Sequence, residues 1–443
     1  MESKTKGLNN AKVKKMCSTN VVPRIQCKID ANIIKESKGD SKKKESTDNF
    51  KKRPSTILVS DFCLNSDIVS LQILKKEYTN YQQAKCSAKT NGPVKSFAYN
   101  SYVGLVKENN EDKVSVSGQV RKNEKSKLKV FPKISYFGIF DGHGGESCST
   151  FLAENYLEFL CEDKNFPFDM KNAIIGAFDK CESEFLKKND GKNLEDMDCS
   201  GSCALVTVVF DNRIYIGNIG DSRAILSTNN GKNVKVLTTD HKPNDIKEYE
   251  RAIKNGSQIY LDKEDGEKMF ITEQKQIDKY IKKVNKNNKN NEEAEDEDEI
   301  LVFRESPSDL AVMRTIGDIK AKRKEYGANP GSIISKPDVF VYDCVSSDDF
   351  IVMGCDGIFD DLTNEQIISS AWFVYKNLAK QENYNIHTLT QNACDIIIKY
   401  GMDKLTGDNL SCIVIGLEGL EKFLANKCCK EKIKNEMIES KKK

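Results

Sequence analysis

The sequence predicts an α+β fold in which antiparallel β-sheets pack together and are covered by helices. Short apolar runs typical of strands occur in hairpin clusters, and pairs of amphipathic helical segments separate these clusters. The clearest hairpin joins Cys203 to Phe210 and Arg213 to Asn218 through Asp211-Asn212 alone. Because two residues are too few for a helical crossover, these strands must be antiparallel. The pattern argues against a doubly wound parallel sheet.

The first half of the folded body shows clear strand and helix signals. Ile134 to Asp141 is predicted to be a strand that ends in a glycine-rich turn. Glu146 to Leu160 repeats its apolar residues at helical spacing, and a second helix is predicted from Met170 to Lys187. After the hairpin, Ser222 to Ser227 is predicted to extend the same meander.

Capping signals and apolar runs mark the remaining elements. Asn244 can cap a helix that runs to Asn255. Thr363 and Gln366 match a capping box at the start of another helix. Further strands are predicted at Val339 to Tyr342, at Phe350 to Gly354 and at Leu410 to Leu417.

Three segments lie outside or interrupt the predicted folded body, which we place at residues 93–418. Residues 1–92 are rich in Lys and Ser and are predicted to form a largely disordered arm, because they carry too little apolar surface to offset the entropy of ordering. A charged insertion at about 262–300 includes the acidic block Glu292 to Glu299. Residues 419–443 form a basic tail.

Composition excludes several classes of function. The net charge is only +2, so the chain lacks the field that attracts nucleic acid. No apolar run reaches about 18 residues, and the N-terminus has no apolar stretch like that of a signal peptide. We therefore expect a cytoplasmic protein without a membrane span, while the basic runs Lys42 to Lys44 and Lys51 to Arg53 also allow a nuclear location. Fifteen cysteines without a CxxC pair and only three histidines make zinc improbable, so any metal should bind to oxygen ligands.

Acidic residues recur at the ends of predicted strands, where Gly or Asn flanks them. Carboxylates gathered at one end of a sheet repel one another unless cations hold them, so binding of hard divalent ions is their most economical function. Ligation by oxygen alone favours Mg²⁺ or Mn²⁺. A single Asp-Gly pair is usually only a turn, but the repeated pattern favours a metal site. The clusters are Glu111-Asp112, Asp141-Gly-His-Gly-Gly, Gly220-Asp221, Asp356-Gly-Ile-Phe-Asp360 and Gly407-Asp408-Asn409.

A series of motifs follows in order between about Tyr99 and Leu417: FGIFDGHGG, GSCALVTVVF, NIGDSRAIL, LTTDHKPND, LAVMRTIGD, SKPDVFVYD, CDGIFDDLT and GDNLSCIVI. Together they resemble the metal-dependent protein phosphatases of type 2C. The resemblance implies a four-layer α-β-β-α sandwich of two antiparallel sheets flanked by helices, with the metal cleft at one edge. It also implies a monomeric protein serine/threonine phosphatase that acts on phosphoprotein substrates. A water bridging two Mg²⁺ or Mn²⁺ ions would attack the phosphate directly.

The resemblance assigns metal ligands residue by residue. Asp141 is similar to the carboxylate that bridges both metals, and Gly142 would add its backbone carbonyl to one of them. Asp356 and Asp408 match ligands of the other metal. Asp221 together with Asp356 matches the positions that hold a third, weaker metal in related enzymes.

The resemblance also implies roles for four residues around the metals. Glu111 and Asp112 resemble the acidic pair that orders metal-bound waters. His143 resembles the general acid that protonates the departing alkoxide, although a hydrogen-bonded structural histidine is the alternative. Lys107 stands where the family usually has an arginine that grips the substrate phosphate. Lysine offers a point charge in place of a planar fork, and a simple surface lysine is the alternative there.

Two other functions compete with an active protein phosphatase. A catalytically weak or dead phosphatase-like regulatory binding protein would explain Lys107, but none of the expected metal carboxylates is missing. A two-metal nuclease or small-molecule phosphohydrolase would share the chemistry, yet the chain lacks a basic groove interleaved with aromatic residues. A phosphatase assay with and without Mn²⁺ separates these functions.

Overall fold

The computed structural model describes residues 57–58, 72–122, 128–189, 191–193, 195–263, 267–280, 302–380 and 385–427. Two antiparallel sheets stack in the centre of this part of the chain, and helices cover both outer faces. The predicted α-β-β-α sandwich is therefore confirmed.

One sheet has seven strands, and every neighbouring pair in it is antiparallel. In spatial order its strands are β1 (Ile57–Leu58), β11 (Asn233–Val236), β10 (Arg223–Thr228), β17 (Asp348–Gly354), β18 (Leu410–Gly416), β3 (Ser96–Tyr102) and β2 (Lys85–Cys86). The central strands β17 and β18 are buried along their whole length. This explains the unbroken apolar runs Phe350 to Met353 and Cys412 to Ile415, since each strand must pack on two faces.

The other large sheet has five strands. In spatial order they are β16 (Asp338–Asp343), β9 (Arg213–Ile219), β8 (Ala204–Phe210), β5 (Ile134–Phe140) and β4 (Lys113–Ser117). The predicted hairpin of β8 and β9 is antiparallel. Its two turn residues, Asp211 and Asn212, both have positive φ, 48° and 59°. Positive φ at both central positions gives a type I′ turn, whose twist matches the right-handed twist of the two strands.

The chain changes sheet between β9 and β10, so the prediction that Ser222 to Ser227 extends the same meander was wrong. β10 pairs with β11 and β17 in the seven-stranded sheet. Gly220 has a φ of +95°, and a Cβ there would lie 2.2 Å from the Cys203 sulfur. The left-handed glycine turns the chain sharply across the sandwich. Turn length alone does not distinguish this crossing from a hairpin.

Helices form the two outer layers. Two of them pack on the five-stranded sheet, and three others pack on the seven-stranded sheet or its edge. The labelled helices are α1 (Ser147–Glu162), α2 (Met170–Lys187), α3 (Ile246–Lys254), α4 (274–280), α5 (Ile319–Lys322), α6 (Asp356–Phe359), α7 (Asn364–Asn377), α8 (Ile386–Asp403) and α9 (418–427). A helical turn at 72–75 and single 3₁₀ turns at Lys324–Tyr326 and Leu378–Lys380 complete the described helical residues. None of the helices in the described ranges is both long and apolar enough to cross a membrane.

Helix caps agree closely with the sequence pattern. The capping box of Thr363 and Gln366 at the start of α7 is confirmed. The cap of α3 lies one position later than predicted, because the side chain of Asp245, and not that of Asn244, accepts from the backbone N–H groups of the first turn. An ionised carboxylate is at least as good a cap as an amide, since it also interacts with the positive end of the helix dipole.

Apolar side chains fill both faces of the five-stranded sheet. Phe137 and Ile139 of β5 face the core between the sheets, while Tyr136 and Phe140 face α1 and α2. This alternation follows from the two-residue period of a strand. β5 is therefore buried along its whole length, and Asp141 follows its last residue, Phe140.

One small sheet consists of β15 (Ile316–Gly317), β7 (Gly201–Ser202) and β6 (Gly142–His143), and β6 follows directly after Asp141. Another small sheet forms a flap together with α3. Its strands are β13 (Lys268–Ile271), β12 (Gln258–Asp262) and β14 (Val302–Ser306). It has its own apolar core, to which Ile259, Met313 and Ile333 contribute. The predicted insertion at about 262–300 thus begins inside an ordered hairpin, whereas its acidic block Glu292 to Glu299 lies outside the described residues.

The folded body extends beyond both predicted boundaries of 93 and 418. Within the arm assigned to residues 1–92, Ile73 is 3% exposed, and the Tyr81 hydroxyl donates to Asp395 Oδ1 at 2.6 Å. Within the tail, Leu420 and Leu424 of α9 pack into the core between the layers. The rest of the arm, apart from β1, and the tail beyond 427 lie outside the described residues.

Candidate metal centre

The two sheets bring the acidic strand ends to one edge of the sandwich. Because neighbouring strands are antiparallel, the end of one lies beside the start of the next. In the five-stranded sheet, Lys113 at the start of β4 pairs with Phe140 at the end of β5. In the seven-stranded sheet, Gly354 at the end of β17 pairs with Arg223 of β10 and Cys412 of β18. The residues just outside these strand ends therefore face one cleft.

Three aspartates form the centre of this cleft. Asp141 follows β5, Asp221 lies between β9 and β10, and Asp356 follows β17. One carboxylate oxygen from each lies within 4.8 Å of those of the other two. Carboxylates this close together match the all-oxygen donor set that Mg²⁺ or Mn²⁺ takes. All three residues were predicted from the sequence, and the fold brings them together.

Burial and neighbouring carboxylates raise the pKa of all three aspartates. Burial raises the pKa of Asp141 well above its usual range, and the charge of Asp356 adds to this effect. Burial and the charge of Asp221 do the same to the pKa of Asp356. Burial also raises the pKa of Asp221, although the ammonium of Lys242 opposes it. Ionised carboxylates are costly in this arrangement, and a divalent cation bound among them would offset both burial and repulsion.

Asp112 is held by a chain of hydrogen bonds beside this cluster. It is only 3% exposed, and burial raises its pKa to about 6. The Ser411 hydroxyl lies 2.6 Å from Asp112 Oδ2 and 2.9 Å from the Ser101 hydroxyl. The Ser411 hydroxyl donates to Asp112, and the neighbouring Ser101 hydroxyl accepts from Asn110 Nδ2 at 2.8 Å. The orientation of Asp112 is therefore set by β3 and β18.

Glu111 is fixed at its backbone and at its side chain. Its Oε1 accepts from the backbone N–H of Gly145 at 2.7 Å, and its own N–H donates to Asn409 Oδ1 at 2.9 Å. Its carbonyl accepts from the Ser149 hydroxyl. A Cβ at Gly142 would lie 2.5 Å from that carbonyl, so only glycine allows the two segments to approach so closely. The acidic pair and the glycine-rich turn are thus fixed against each other.

Lys107 and Asp408 face each other at the mouth of the cleft. Lys107 Nζ lies 3.0 Å from Asp408 Oδ1, and the two side chains are 41% and 44% exposed. Burial lowers the pKa of Lys107, but the hydrogen bond and charge of Asp408 outweigh it, with help from Glu111 and Asp356, so that the pKa is raised. Lys107 therefore lies in the field of the acidic cluster and is not a remote surface lysine.

His143 pairs with Asp318, a residue to which the sequence analysis gave no role. His143 Nε2 lies 2.8 Å from Asp318 Oδ2. Burial lowers the pKa of His143, but the Asp318 carboxylate outweighs burial, and the pKa is raised. A Cβ at Gly201 would lie 2.0 Å from Asp318 Oδ2 and 2.4 Å from His143 Nε2, so glycine leaves room for the pair. In the sequence, Asp318 could have been recognised as a candidate because it is the last residue of the LAVMRTIGD motif.

Lys242 of the DHKP motif is a second residue that the sequence analysis missed. Its ammonium lies 2.8 Å from Asp360 Oδ1 and 3.5 Å from Asp221 Oδ2. Burial lowers the pKa of Lys242, but these two carboxylates outweigh burial and raise it. Lys242 is therefore charged at neutral pH and partly neutralises the Asp221 side of the cluster.

A buried network ties the turn between β9 and β10 to the flap. His241 Nδ1 accepts from the Gly220 N–H at 3.1 Å, which leaves the ring proton on Nε2, 3.4 Å from Asp338 Oδ2. Arg314 donates to Asp338 Oδ1 at 2.9 Å and also binds Glu248 of α3 at 2.6 Å. The turn that carries one aspartate of the centre is thus held in place by residues from three separate segments.

Comparison with known proteins first identifies the fold class. A C. elegans sex determining protein aligns over 78% of this chain and 67% of its own length, with a TM-score of 0.53 and 16% identity. A phosphatase from a pathogenic strain of Toxoplasma gondii aligns over 76% of this chain and 96% of its own, with a TM-score of 0.51 and 16% identity. At such identities the likeness shows the fold alone.

The family follows from the sequence comparison. The Protein phosphatase 2C family model matches residues 103–410, which include every candidate site residue. The chain belongs to the protein phosphatase 2C family. It is 29% identical to "Probable protein phosphatase 2C 27" of Arabidopsis thaliana over 281 residues, which are 63% of this chain and 58% of that protein. The chain spans 58 to 61% of the length of three plant relatives that it matches.

Proposed function

We propose that this chain is a metal-dependent protein serine/threonine phosphatase that hydrolyses phosphoserine and phosphothreonine in protein substrates. The main support is the cluster of three aspartate oxygens within 4.8 Å of one another at the end of the sandwich. Membership of the protein phosphatase 2C family supports the same activity. Two Mg²⁺ or Mn²⁺ ions bound there, and a third at a weaker site, would lower the pKa of a water and neutralise charge on the phosphoryl group.

Asp141 is the best candidate for the ligand shared by both principal ions. Burial raises its pKa, and the charges of Asp356, Asp112, Asp221 and Asp408 raise it further, so Asp141 lies within the field of the other four aspartates of the proposed set. We propose that Gly142 adds its carbonyl on one side, that Asp356 and Asp408 hold the other ion, and that Asp221 serves the weaker site. The complete proposed set is Glu111, Asp112, Asp141, Gly142, Asp221, Asp356 and Asp408.

Two cationic groups would act on the substrate. His143 would donate a proton to the departing serine or threonine oxygen, and the carboxylate of Asp318 favours the protonated imidazole that this step needs. Lys107 would bind the phosphate, exchanging its ion pair with Asp408 for the more highly charged substrate. Both residues lie at the acidic cleft and not elsewhere on the sandwich.

Metal-dependent hydrolysis is the direct test. The purified chain should hydrolyse a phosphothreonine peptide with Mn²⁺ or Mg²⁺ and should lose this activity when a chelator removes the metal. Binding of Mn²⁺ without hydrolysis of any phosphopeptide would instead favour a phosphatase-like regulatory binding protein. Cleavage of DNA under the same conditions would favour a two-metal nuclease.

The role of Lys107 can be tested in both directions. Lys107→Arg should lower the Michaelis constant, because arginine adds a second aligned donor, and Lys107→Ala should raise it. The expected change is about 1 to 2 kcal/mol, since the partner is a partly solvated phosphate. Steady-state kinetics at saturating Mn²⁺ measures this without interference from altered metal binding at Asp408.

A matched control is Lys95→Ala, which removes a lysine that also pairs with a carboxylate, Glu421, outside the cleft. It should leave the kinetics unchanged. If both Lys107 variants behave like this control, Lys107 does not bind the phosphate.

A further inference from the structure

Three large apolar side chains are exposed beside the ion pair of Lys107 and Asp408. Leu105 is 44% exposed, Val106 is 69% exposed and Leu405 is 67% exposed. Leu105 and Val106 directly precede Lys107, and Leu405 shortly precedes Asp408 in the chain. We call Leu105, Val106 and Leu405 the apolar rim.

The two loops that carry the apolar rim are packed against each other. A Cβ at Gly104 would lie 2.3 Å from the carbonyl oxygen of Asp408, so the backbones of the two loops are in contact. Asn409 Nδ2 donates to the carbonyls of Val103 at 2.8 Å and of Asn109 at 3.1 Å. One amide therefore holds the first loop at both ends and fixes it beside the loop that carries Leu405.

Leu405 has a backbone conformation that leucine rarely adopts. Its φ is +61°, and its N–H donates to the carbonyl of Met402 at 3.0 Å. Asparagine or glycine would fit the left-handed region better, because a branched side chain crowds the backbone there. An exposed leucine gains little from packing, so folding does not explain why leucine stands at this position. An outlier of this kind at the edge of a cleft points to a contact with a ligand.

We propose that the apolar rim binds an apolar side chain of the substrate next to the phosphorylated residue. This inference rests on the proposed function. When Lys107 holds the phosphate, each residue next to the phosphorylated one lies only about 3.5 Å further along the substrate chain. The side chains that neighbour Lys107 can therefore reach it. Leu, Ile, Val or Met in the substrate would cover the rim and remove apolar surface from water. The specificity is therefore for phosphoserine or phosphothreonine flanked by aliphatic residues.

Paired peptides test this specificity. Two phosphothreonine peptides of equal charge would differ only at the residues immediately before and after the phosphothreonine, which are Leu in one and Ser in the other. The wild-type chain with Mn²⁺ should favour the Leu peptide by about 10-fold in kcat/KM, the low end for one apolar contact. Val106→Ser and Leu405→Asn should each bring this ratio towards one, and the double variant should bring it closest.

The matched control is Val130→Ser. Val130 is 84% exposed and precedes β5, whereas Asp141 follows β5, so the strand separates it from the cleft by roughly 20 Å. This variant should keep the wild-type ratio. Equal rates on both peptides in the wild type, or an unchanged ratio in the double variant, would overturn the inference while leaving the proposed function intact. A wild-type chain that hydrolyses neither peptide nor a small aryl phosphate would overturn the proposed function, and this inference with it.

Discussion

Asp356→Asn is expected to abolish turnover and, at the same time, to stabilise the metal-free protein. Asparagine has the same shape but carries no charge, so it is a poor ligand in a centre built from carboxylates. Even outer-shell changes at metal sites cost about 10- to 100-fold in activity, so loss of a direct ligand should exceed about 100-fold. Hydrolysis of a phosphothreonine peptide over a range of Mn²⁺ concentrations measures the loss.

The same substitution should raise the stability of the metal-free protein, because the pKa of Asp356 is raised in the folded state. Burial and the charge of Asp221 raise the pKa of Asp356 above its value in the unfolded chain. The folded state therefore favours the protonated form, so the aspartate begins to destabilise the fold as the pH rises above its unfolded pKa, and the penalty is complete above its folded pKa. Asparagine removes this penalty, so the Tm of the metal-free variant should exceed that of wild type at pH 7. The difference should vanish at a pH below the unfolded value.

Metal binding should show the complementary effect. Mn²⁺ raises the Tm of a protein that binds it in the folded state, and this increase should shrink in Asp356→Asn. The control is Asp211→Asn, which makes the same chemical change in a turn with φ of 48°, a conformation that asparagine accepts. A variant at Asp356 that keeps the full Mn²⁺-dependent increase in Tm and more than about a tenth of wild-type turnover would remove Asp356 from the centre.

Local signals in the sequence were sufficient to predict most elements of the sandwich. The second helix begins and ends at Met170 and Lys187 as predicted, because its apolar spacing and its flanking residues depend only on neighbouring positions. The same holds for the capping box at Thr363. The three aspartates of the cluster could be named because each one follows a buried strand and precedes a tight turn.

Long-range contacts could not be predicted in this way. The pair of His143 and Asp318 joins residues 175 positions apart, and only the folded sheets bring them together. Tyr81 docks onto α8 through its hydrogen bond to the buried Asp395 and through Lys399, which lies over its ring, and both residues are more than 300 positions away. The switch of sheet after β9 depends on the left-handed Gly220 and on the pairing of β10 with β17, a strand that comes far later in the chain. The local sequence pattern shows neither feature.

His143→Gln is the second substitution with a large expected effect, and the effect should depend on the leaving group. Loss of a general acid costs about 100- to 10,000-fold when the leaving oxygen needs a proton. The alkoxide of phosphothreonine needs that proton, whereas the stable anion of a nitrophenyl phosphate leaves without it. We therefore expect kcat to fall by about 100-fold or more on a phosphothreonine peptide and far less on the aryl phosphate.

Asp318→Asn and a control histidine separate proton donation from simple structural support. Asparagine at 318 keeps a hydrogen bond to the ring but removes the charge that raises the pKa of His143, so it should reproduce the same dependence on leaving group with a smaller loss. His387→Gln alters a half-buried histidine that pairs with Ser87 on another part of the sandwich, and it should change neither rate. If His143→Gln instead slows both substrates equally, the histidine holds the glycine-rich turn in place and the proton comes from another donor, with water as the first candidate.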